Sequence, residues 1–188
     1  MRIIRGKYRG KSILPPKSFS ARPTTDFAKE GIFNIIENNF DIELSSVLDL
    51  FAGTGGISYE FASRGCEDVT TVDLSNRYTL FMKKSLTGEL KLLEPSIAVI
   101  KADAFRFIRN AGRKYTIVFA DPPFDLENLD TLPDAVFSAA LVKENGWLIL
   151  EHSDKNNFAK HPNFVKVRKY GKINFSLFEP KEDQQSTP

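Results

Sequence analysis

Four consecutive residues, Asp121-Pro122-Pro123-Phe124, carry the most specific chemical signal in this sequence of 188 residues. They follow directly on an apolar run, 117–120, that reads as the end of a strand. The exocyclic amino group of a nucleic-acid base is a poor nucleophile, because its lone pair is delocalised into the ring. Two acceptors aimed at its hydrogens favour a pyramidal nitrogen and draw off positive charge as a methyl group arrives. The Asp121 carboxylate is one such acceptor. The Pro122 carbonyl is a second, since paired prolines fix the turn that presents it. Phe124 offers a flat face for a base swung out of its stack. A merely structural acid and Pro-Pro turn is the alternative, and it is uncommon in the company of the three motifs that follow.

The stretch Asp49-Leu50-Phe51-Ala52-Gly53-Thr54-Gly55-Gly56 ends one apolar run and opens a helical segment. Glycines such as Gly53 and Gly55 let the backbone pass close to a ligand, and the helix N-terminus attracts a polar group. By itself such a loop is equally a tight turn. Two details sharpen it. Ser58 stands where the G-x-G-x-x-G of dinucleotide binders has its third glycine, and Asp49 brings a carboxylate to the loop. A carboxylate repels a pyrophosphate but pairs with an ammonium. S-adenosylmethionine carries an ammonium, a sulfonium and no phosphate, and is the ligand these residues suggest. Asp73, at the end of the next apolar run, is placed to accept both hydroxyl hydrogens of a ribose; a surface acid capping the following helix is the other reading. Asp103, beside Ala104 and Phe105, could accept an adenine amino group, cap a helix, or do both.

These motifs need a scaffold, and the hydrophobic pattern supplies one. Short apolar runs at 47–51, 69–73, 97–100, 115–120 and 147–151 alternate with helical stretches near 56–64, 76–88, 104–110 and 129–141. Strand and helix alternating at this spacing imply a parallel sheet with right-handed crossovers, the ligand lying at the carboxyl ends of its strands. The runs 164–170 and 173–178 are separated only by Gly171-Lys172, too little for a crossover, so they form an antiparallel hairpin. Ahead of the sheet, 2–14 reads as a short hairpin turning at Tyr8-Arg9-Gly10. Thr24 or Thr25 caps a helix running to about Asn38 with Ala28, Ile32, Ile35 and Ile36 on one face. Gly31 costs that helix about 1 kcal/mol relative to alanine, so packing must hold it. One domain over 1–180 is expected, an extension at 1–40 joined to a catalytic sheet at 46–180, with 181–188 a disordered tail.

Bulk properties narrow the partners. With 41% hydrophobic and 27% charged residues the chain has enough apolar material for a core. Nothing resembles a membrane span or a signal peptide, so a cytoplasmic protein is expected. The single cysteine, Cys66, forms no internal disulfide. His152 and His161 are not spaced for a metal site and read as surface residues, whereas Trp147 and most of the 16 phenylalanines read as core. Seven bases precede the first acid, Asp26, while the whole chain is only +2. A basic arm on an acidic body suits a polyanion, although charge alone would equally fit a solvated terminus.

Together the four motifs resemble the class I methyltransferase pattern. Arg22-Pro23-Thr24-Thr25-Asp26, then Glu30, Phe33-Asn34 and Leu48-Asp49-Leu50-Phe51-Ala52-Gly53-Thr54-Gly55, resemble the RsmD-like family of 16S ribosomal RNA guanine-N2 methyltransferases, and the likeness extends to about Glu179. The resemblance implies a Rossmann-like seven-stranded, mostly parallel sheet with the last hairpin antiparallel. It implies transfer of a methyl group from S-adenosylmethionine to a guanine N2 of small-subunit ribosomal RNA. It assigns catalysis to Asp121, Pro122 and Phe124, the cofactor to Asp49, Phe51, Gly53, Gly55, Asp73, Leu74, Asp103 and Ala104, and RNA to Arg2, Arg5, Lys7, Arg9, Lys11 and Arg22. No metal and a monomer are expected, with ribosomal RNA or the small ribosomal subunit as partner. Phe27 and Lys29 stand where that family usually has arginine, Gly31 where it has alanine, and Phe124 where tyrosine is commoner. The rivals are a DNA adenine-N6 methyltransferase, which usually needs a separate target-recognition segment, and a non-catalytic ribosome-assembly factor. A nicotinamide-dependent oxidoreductase is more distant.

Overall fold

A computed structural model describes residues 1–19 and 24–181. Seven strands form one sheet in the order β3-β2-β1-β4-β5-β7-β6. The strands are β1 (Ser46–Leu50), β2 (Asp68–Asp73), β3 (Ile97–Lys101), β4 (Tyr115–Ala120), β5 (Val142–His152), β6 (Phe164–Tyr170) and β7 (Ile173–Phe178). The first five pair in parallel, and β7 runs antiparallel to both β5 and β6. The helices are α1 (Asp26–Glu37), α2 (Gly56–Ser63), α3 (Asn76–Thr87), α4 (Ala104–Asn110) and α5 (Leu132–Ser138), the last preceded by a 3₁₀ turn at Leu129–Thr131. β5 begins five residues before the apolar run 147–151, because 142–146 crosses a register shift against β4.

Alternation along the parallel strands builds two cores. Val47, Ile117, Phe119, Trp147 and Ile149 face α2 and α3 on one side of the sheet. Leu48, Leu50, Val118, Leu148 and Leu150 face α4 and α5 on the other. Ile3, Ile13, Ile32, Phe33 and Ile36 belong to the first of these cores, so the N-terminal segment and α1 share the apolar interior of the sheet. In α1 the buried face includes Lys29 and Phe33.

The strand order reverses between β1 and β4, since the chain leaves β1 for β2 on one side and returns to β4 on the other. Loops after these strands diverge and leave a crevice at their carboxyl ends. β5, β7 and β6 extend the wall on the β4 side.

The 2–14 hairpin has one antiparallel bridge, Arg2 to Ser12, and clamps α2. The backbone N–H groups of Ile4 and Arg5 donate to the Glu60 carboxylate at 2.8 and 3.0 Å. Lys7 N–H donates to the Ser63 carbonyl at 2.7 Å, and a Cβ on Gly6 would collide with that oxygen. Covered by the sheet and by this clasp, α2 is buried from Ile57 through Ser63. Glu60, fully buried, also takes Arg64 at 2.7 Å and Lys29 at 3.6 Å.

Candidate active site

A cleft of about 970 Å³ opens at the carboxyl ends of β1 to β5. Strand ends and the turns that follow them supply much of its wall, with Met1, Thr24, Phe27 and Lys29 of the N-terminal segment and α1 closing one side.

β1 delivers Asp49, which is 1% exposed. One carboxylate oxygen accepts the Ser58 N–H at 3.1 Å and the Ser58 hydroxyl at 2.5 Å. Ser58, where a dinucleotide binder has glycine, therefore anchors the acid. Burial pushes the Asp49 carboxyl up to about 7, with the charges of Asp121 and Asp73 adding to it. Phe51 turns the chain with a left-handed φ of 60°, and Gly53 follows at 53°. Asp73, from the end of β2, receives the Gly53 N–H at 2.8 Å on one oxygen and the Ser75 N–H at 2.7 Å on the other. It thus ties the glycine loop to the start of α3, and its carboxyl is raised by burial. Each of its oxygens keeps a lone pair for a further donor. Asp103 caps α4 through the Arg106 N–H at 2.8 Å while lining the cleft.

Beyond β4, Asp121, Pro122, Pro123 and Phe124 form the next wall. Phe124 is 51% exposed. Asp121 has its carboxyl raised well above the usual range, by burial first and by Glu151 second.

Of the residues assigned to a cofactor, Asp49, Phe51, Gly53, Asp73, Leu74, Asp103 and Ala104 all face this one cleft. Gly55 does not. It is the N-cap of α2 with φ 86°, and a Cβ there would strike Met82 and Tyr59, so it serves close packing behind the loop.

The basic arm is a brace with much of its charge paired. Arg2 meets Asp26 at 3.0 Å, Arg5 meets Glu37 at 3.0 Å, and Lys11 meets Glu89 at 3.5 Å. Lys7 and Arg9 are exposed. Arg22 lies outside the described residues. The reading of His152 as a surface residue is wrong, whereas His161 is half-buried and bonds the exposed Asp134 at 3.1 Å. His152 is 3% exposed and its ring nitrogens meet the Ser176 hydroxyl and the Ser153 carbonyl, while His161 packs on Phe178 and Phe137. Trp147 is buried as expected.

Sequence reasoning missed two contributors, Glu151 and Tyr170. Glu151, last but one in β5, is buried in the cleft wall, and the Thr24 hydroxyl donates to it at 3.0 Å. Its signal is a lone acid ending an apolar run. Tyr170, the last residue of β6, reaches the cleft over α1, and a Cβ on Gly31 would sit 2.1 Å from its ring. Phe27 packs edge-on to that ring at 5.7 Å. Gly31, Phe27 and Tyr170 thus form one unit, which accounts for two of the family departures together. Lys29, the third, lines the cleft but is held by Glu60 and by the Arg2 carbonyl, with its amine pulled below the ordinary value by burial.

The cleft wall therefore carries five acids, Asp49, Asp73, Asp103, Asp121 and Glu151, against two lysines, Lys29 and Lys172. Such a wall favours a cationic ligand and opposes a pyrophosphate. Among the described residues no group of three or more His, Cys, Asp or Glu is placed to hold a metal ion, and no helix is long and apolar enough to cross a membrane.

A family model described as "Conserved hypothetical protein 95" matches residues 1–179. The chain is 30% identical over 182 residues to ribosomal RNA small subunit methyltransferase D of Buchnera aphidicola subsp. Baizongia pistaciae, covering 95% of this chain and 91% of that one. The solved structure of the Escherichia coli protein yhhF superposes with a TM-score of 0.82 at 25% identity, over 95% and 97% of the two chains. SMU.776, whose structure was solved in complex with SAH, shares the fold at a TM-score of 0.64 and 17% identity, over 81% of this chain and 49% of that one.

Proposed function

Since this chain belongs to the conserved hypothetical protein 95 family, which includes ribosomal RNA small subunit methyltransferase D, we propose that it methylates the exocyclic N2 of a guanine in 16S ribosomal RNA. The observation that carries this reading is the meeting, in one acid-lined cleft, of the Asp49–Asp73–Asp103 series with the Asp121-Pro122-Pro123-Phe124 turn.

The methyl donor is S-adenosylmethionine, and the wall fits its parts. Asp49 faces the ammonium, the free lone pairs of Asp73 take the ribose hydroxyls, and Asp103 lies beside Ala104 where the adenine amino group would be accepted. Bound there, S-adenosylmethionine supplies an electrophilic methyl on a sulfonium. Phe124 stacks the flipped guanine. Asp121 and the Pro122 carbonyl accept the two N2 hydrogens and orient the nitrogen lone pair for in-line attack. With the donor bound, an N–C bond would form as the S–C bond breaks, and the extra proton would leave the nitrogen for solvent. Asp121 shares the transient positive charge.

Exposed ion pairs such as Arg2–Asp26 and Arg5–Glu37 are worth at most about 1 kcal/mol, so a phosphate can compete for those guanidinia. Lys7 and Arg9 on the arm, and Lys172 at the cleft, extend the same cationic surface. The purified protein is offered methyl-labelled S-adenosylmethionine with three acceptors: small ribosomal subunits from cells lacking it, the naked 16S RNA, and duplex DNA. The expected product is N2-methylguanosine in one of the two ribosomal arms. Label in N6-methyladenine of the DNA, or calorimetry showing no S-adenosylmethionine binding, would refute the proposal.

A further inference from the structure

The structure assigns Glu151 a role in choosing the acceptor base: it takes the ring N1–H of guanine while Asp121 holds the neighbouring amino group. This rests on the guanine-N2 reading above and names the residue that would make it specific.

β4 and β5 pair in parallel with Ala120 opposite Leu150, so the next residues, Asp121 just past β4 and Glu151 last but one in β5, stand side by side. Strands lie about 4.8 Å apart, which sets two acceptors next to each other on one cleft wall. Both residues line the cleft, and Glu151 is only 3% exposed. The Thr24 hydroxyl occupies Oε2 at 3.0 Å and fixes the carboxylate against the lead-in to α1. A buried carboxylate beside the half-buried Asp121, the two sharing the one neutral Thr24 hydroxyl, is poorly compensated. A guanine edge repairs this. It presents N1–H and N2–H side by side, two donors to two acceptors. Adenine presents an acceptor at N1, and its lone pair would face the lone pairs of Glu151. Phe124, exposed on the same cleft, supplies the plane on which that edge is held.

A purely structural Glu151, tying β5 to Thr24, would set the amount of active protein but not the choice of base. The test therefore uses 2-aminopurine, which keeps the 2-amino group but has an acceptor at N1. Once the methylated position is mapped, RNA carrying guanine or 2-aminopurine there is ligated into 16S RNA and reconstituted into small subunits. Wild type should favour guanine in kcat/KM by roughly 10- to 100-fold, the worth of a charge-assisted hydrogen bond. Glu151→Gln, whose amide can donate to N1, should bring that ratio below about 10-fold by improving 2-aminopurine. Thr24→Val, which keeps the carboxylate, should lower turnover and preserve the ratio. A wild-type ratio near one overturns the inference and leaves the guanine-N2 reading intact, as does a Glu151→Gln ratio equal to wild type. Absence of N2-methylguanosine with the natural subunit overturns the reading beneath it.

Discussion

Binding of S-adenosylhomocysteine, which keeps the ammonium of the methyl donor, should strengthen as pH rises through 7, because Asp49 must ionise to receive it. Burial raises that carboxyl from 3.8 to about 7. The shift corresponds to about 4 kcal/mol at 1.36 kcal/mol per unit, the order of the cost of placing an unpaired carboxylate there. The folded pKa lies above the unfolded one. Stability from the neutral form is therefore complete below the unfolded value and is lost as pH rises through about 7. The unliganded protein should melt lower at pH 8 than at pH 5.5, and the ligand should narrow the gap. At pH 5.5 about one Asp49 in thirty is ionised, so affinity should be about 30-fold below its plateau. Isothermal titration calorimetry from pH 5.5 to 8.5, in two buffers of different ionisation enthalpy, measures both the affinity and the proton released. Asp49→Asn should bind weakly with the slope abolished. A wild-type affinity independent of pH, or the same slope in Asp49→Asn, would refute the assignment of the ammonium to Asp49.

Asp121→Ala should lower turnover by roughly 100- to 1000-fold, as loss of a preorganised transition-state contact does, with S-adenosylhomocysteine affinity changed only a few-fold; near-normal turnover on a confirmed substrate would remove Asp121 from the chemistry. Gly31→Ala forces a Cβ to within 2.1 Å of the Tyr170 ring. A loss of about 1–3 kcal/mol is expected by differential scanning calorimetry, recovered in part by Tyr170→Leu; an unchanged melting temperature would show that the ring is not seated on that glycine. Replacing Lys7 and Arg9 together by alanine should weaken RNA binding and flatten the dependence of log K on log salt by up to about 2, whereas a slope equal to wild type would move the RNA off the arm.

The sheet is legible in the sequence because its parallel strands are short apolar runs ended by turn residues, and because Gly171-Lys172 leaves room only for a hairpin. Its order is not legible: apolar runs do not say which neighbours pair, and the placement of β7 between β5 and β6 is set by packing on β5. Asp49, Asp73, Asp103 and Asp121 are visible because each follows its strand within a recognisable local motif. Glu151 has no such motif, and its importance comes from β4, thirty residues earlier in the chain, through strand register. The same holds for the basic arm. Its charges are obvious, but the Glu60 carboxylate that holds its backbone sits on a helix whose outer face looks solvent-ready until the arm covers it. His152 is misread because a polar ring at a strand end gives no hint of Ser176 across the sheet.

The acid excess of the cleft does more than repel phosphate. Asp49, Asp73, Asp121 and Glu151 are all pushed toward their neutral forms by burial, so ionising them carries a cost that a cationic ligand can relieve. Lys29 cannot relieve it, since Glu60 and the Arg2 carbonyl already hold its amine. A neutral or anionic nucleotide gains nothing from this arrangement. A ligand with an ammonium at one end and a sulfonium in the middle would suit this wall if, as proposed, Asp49 takes the ammonium. In the proposed transfer the positive charge would pass from the sulfur to the base nitrogen, and Asp121 and Glu151, on the same cleft wall, would remain close to it. The wall is then complementary to a charge in passage between two atoms, which is the condition under which fixed carboxylates lower a barrier as well as bind.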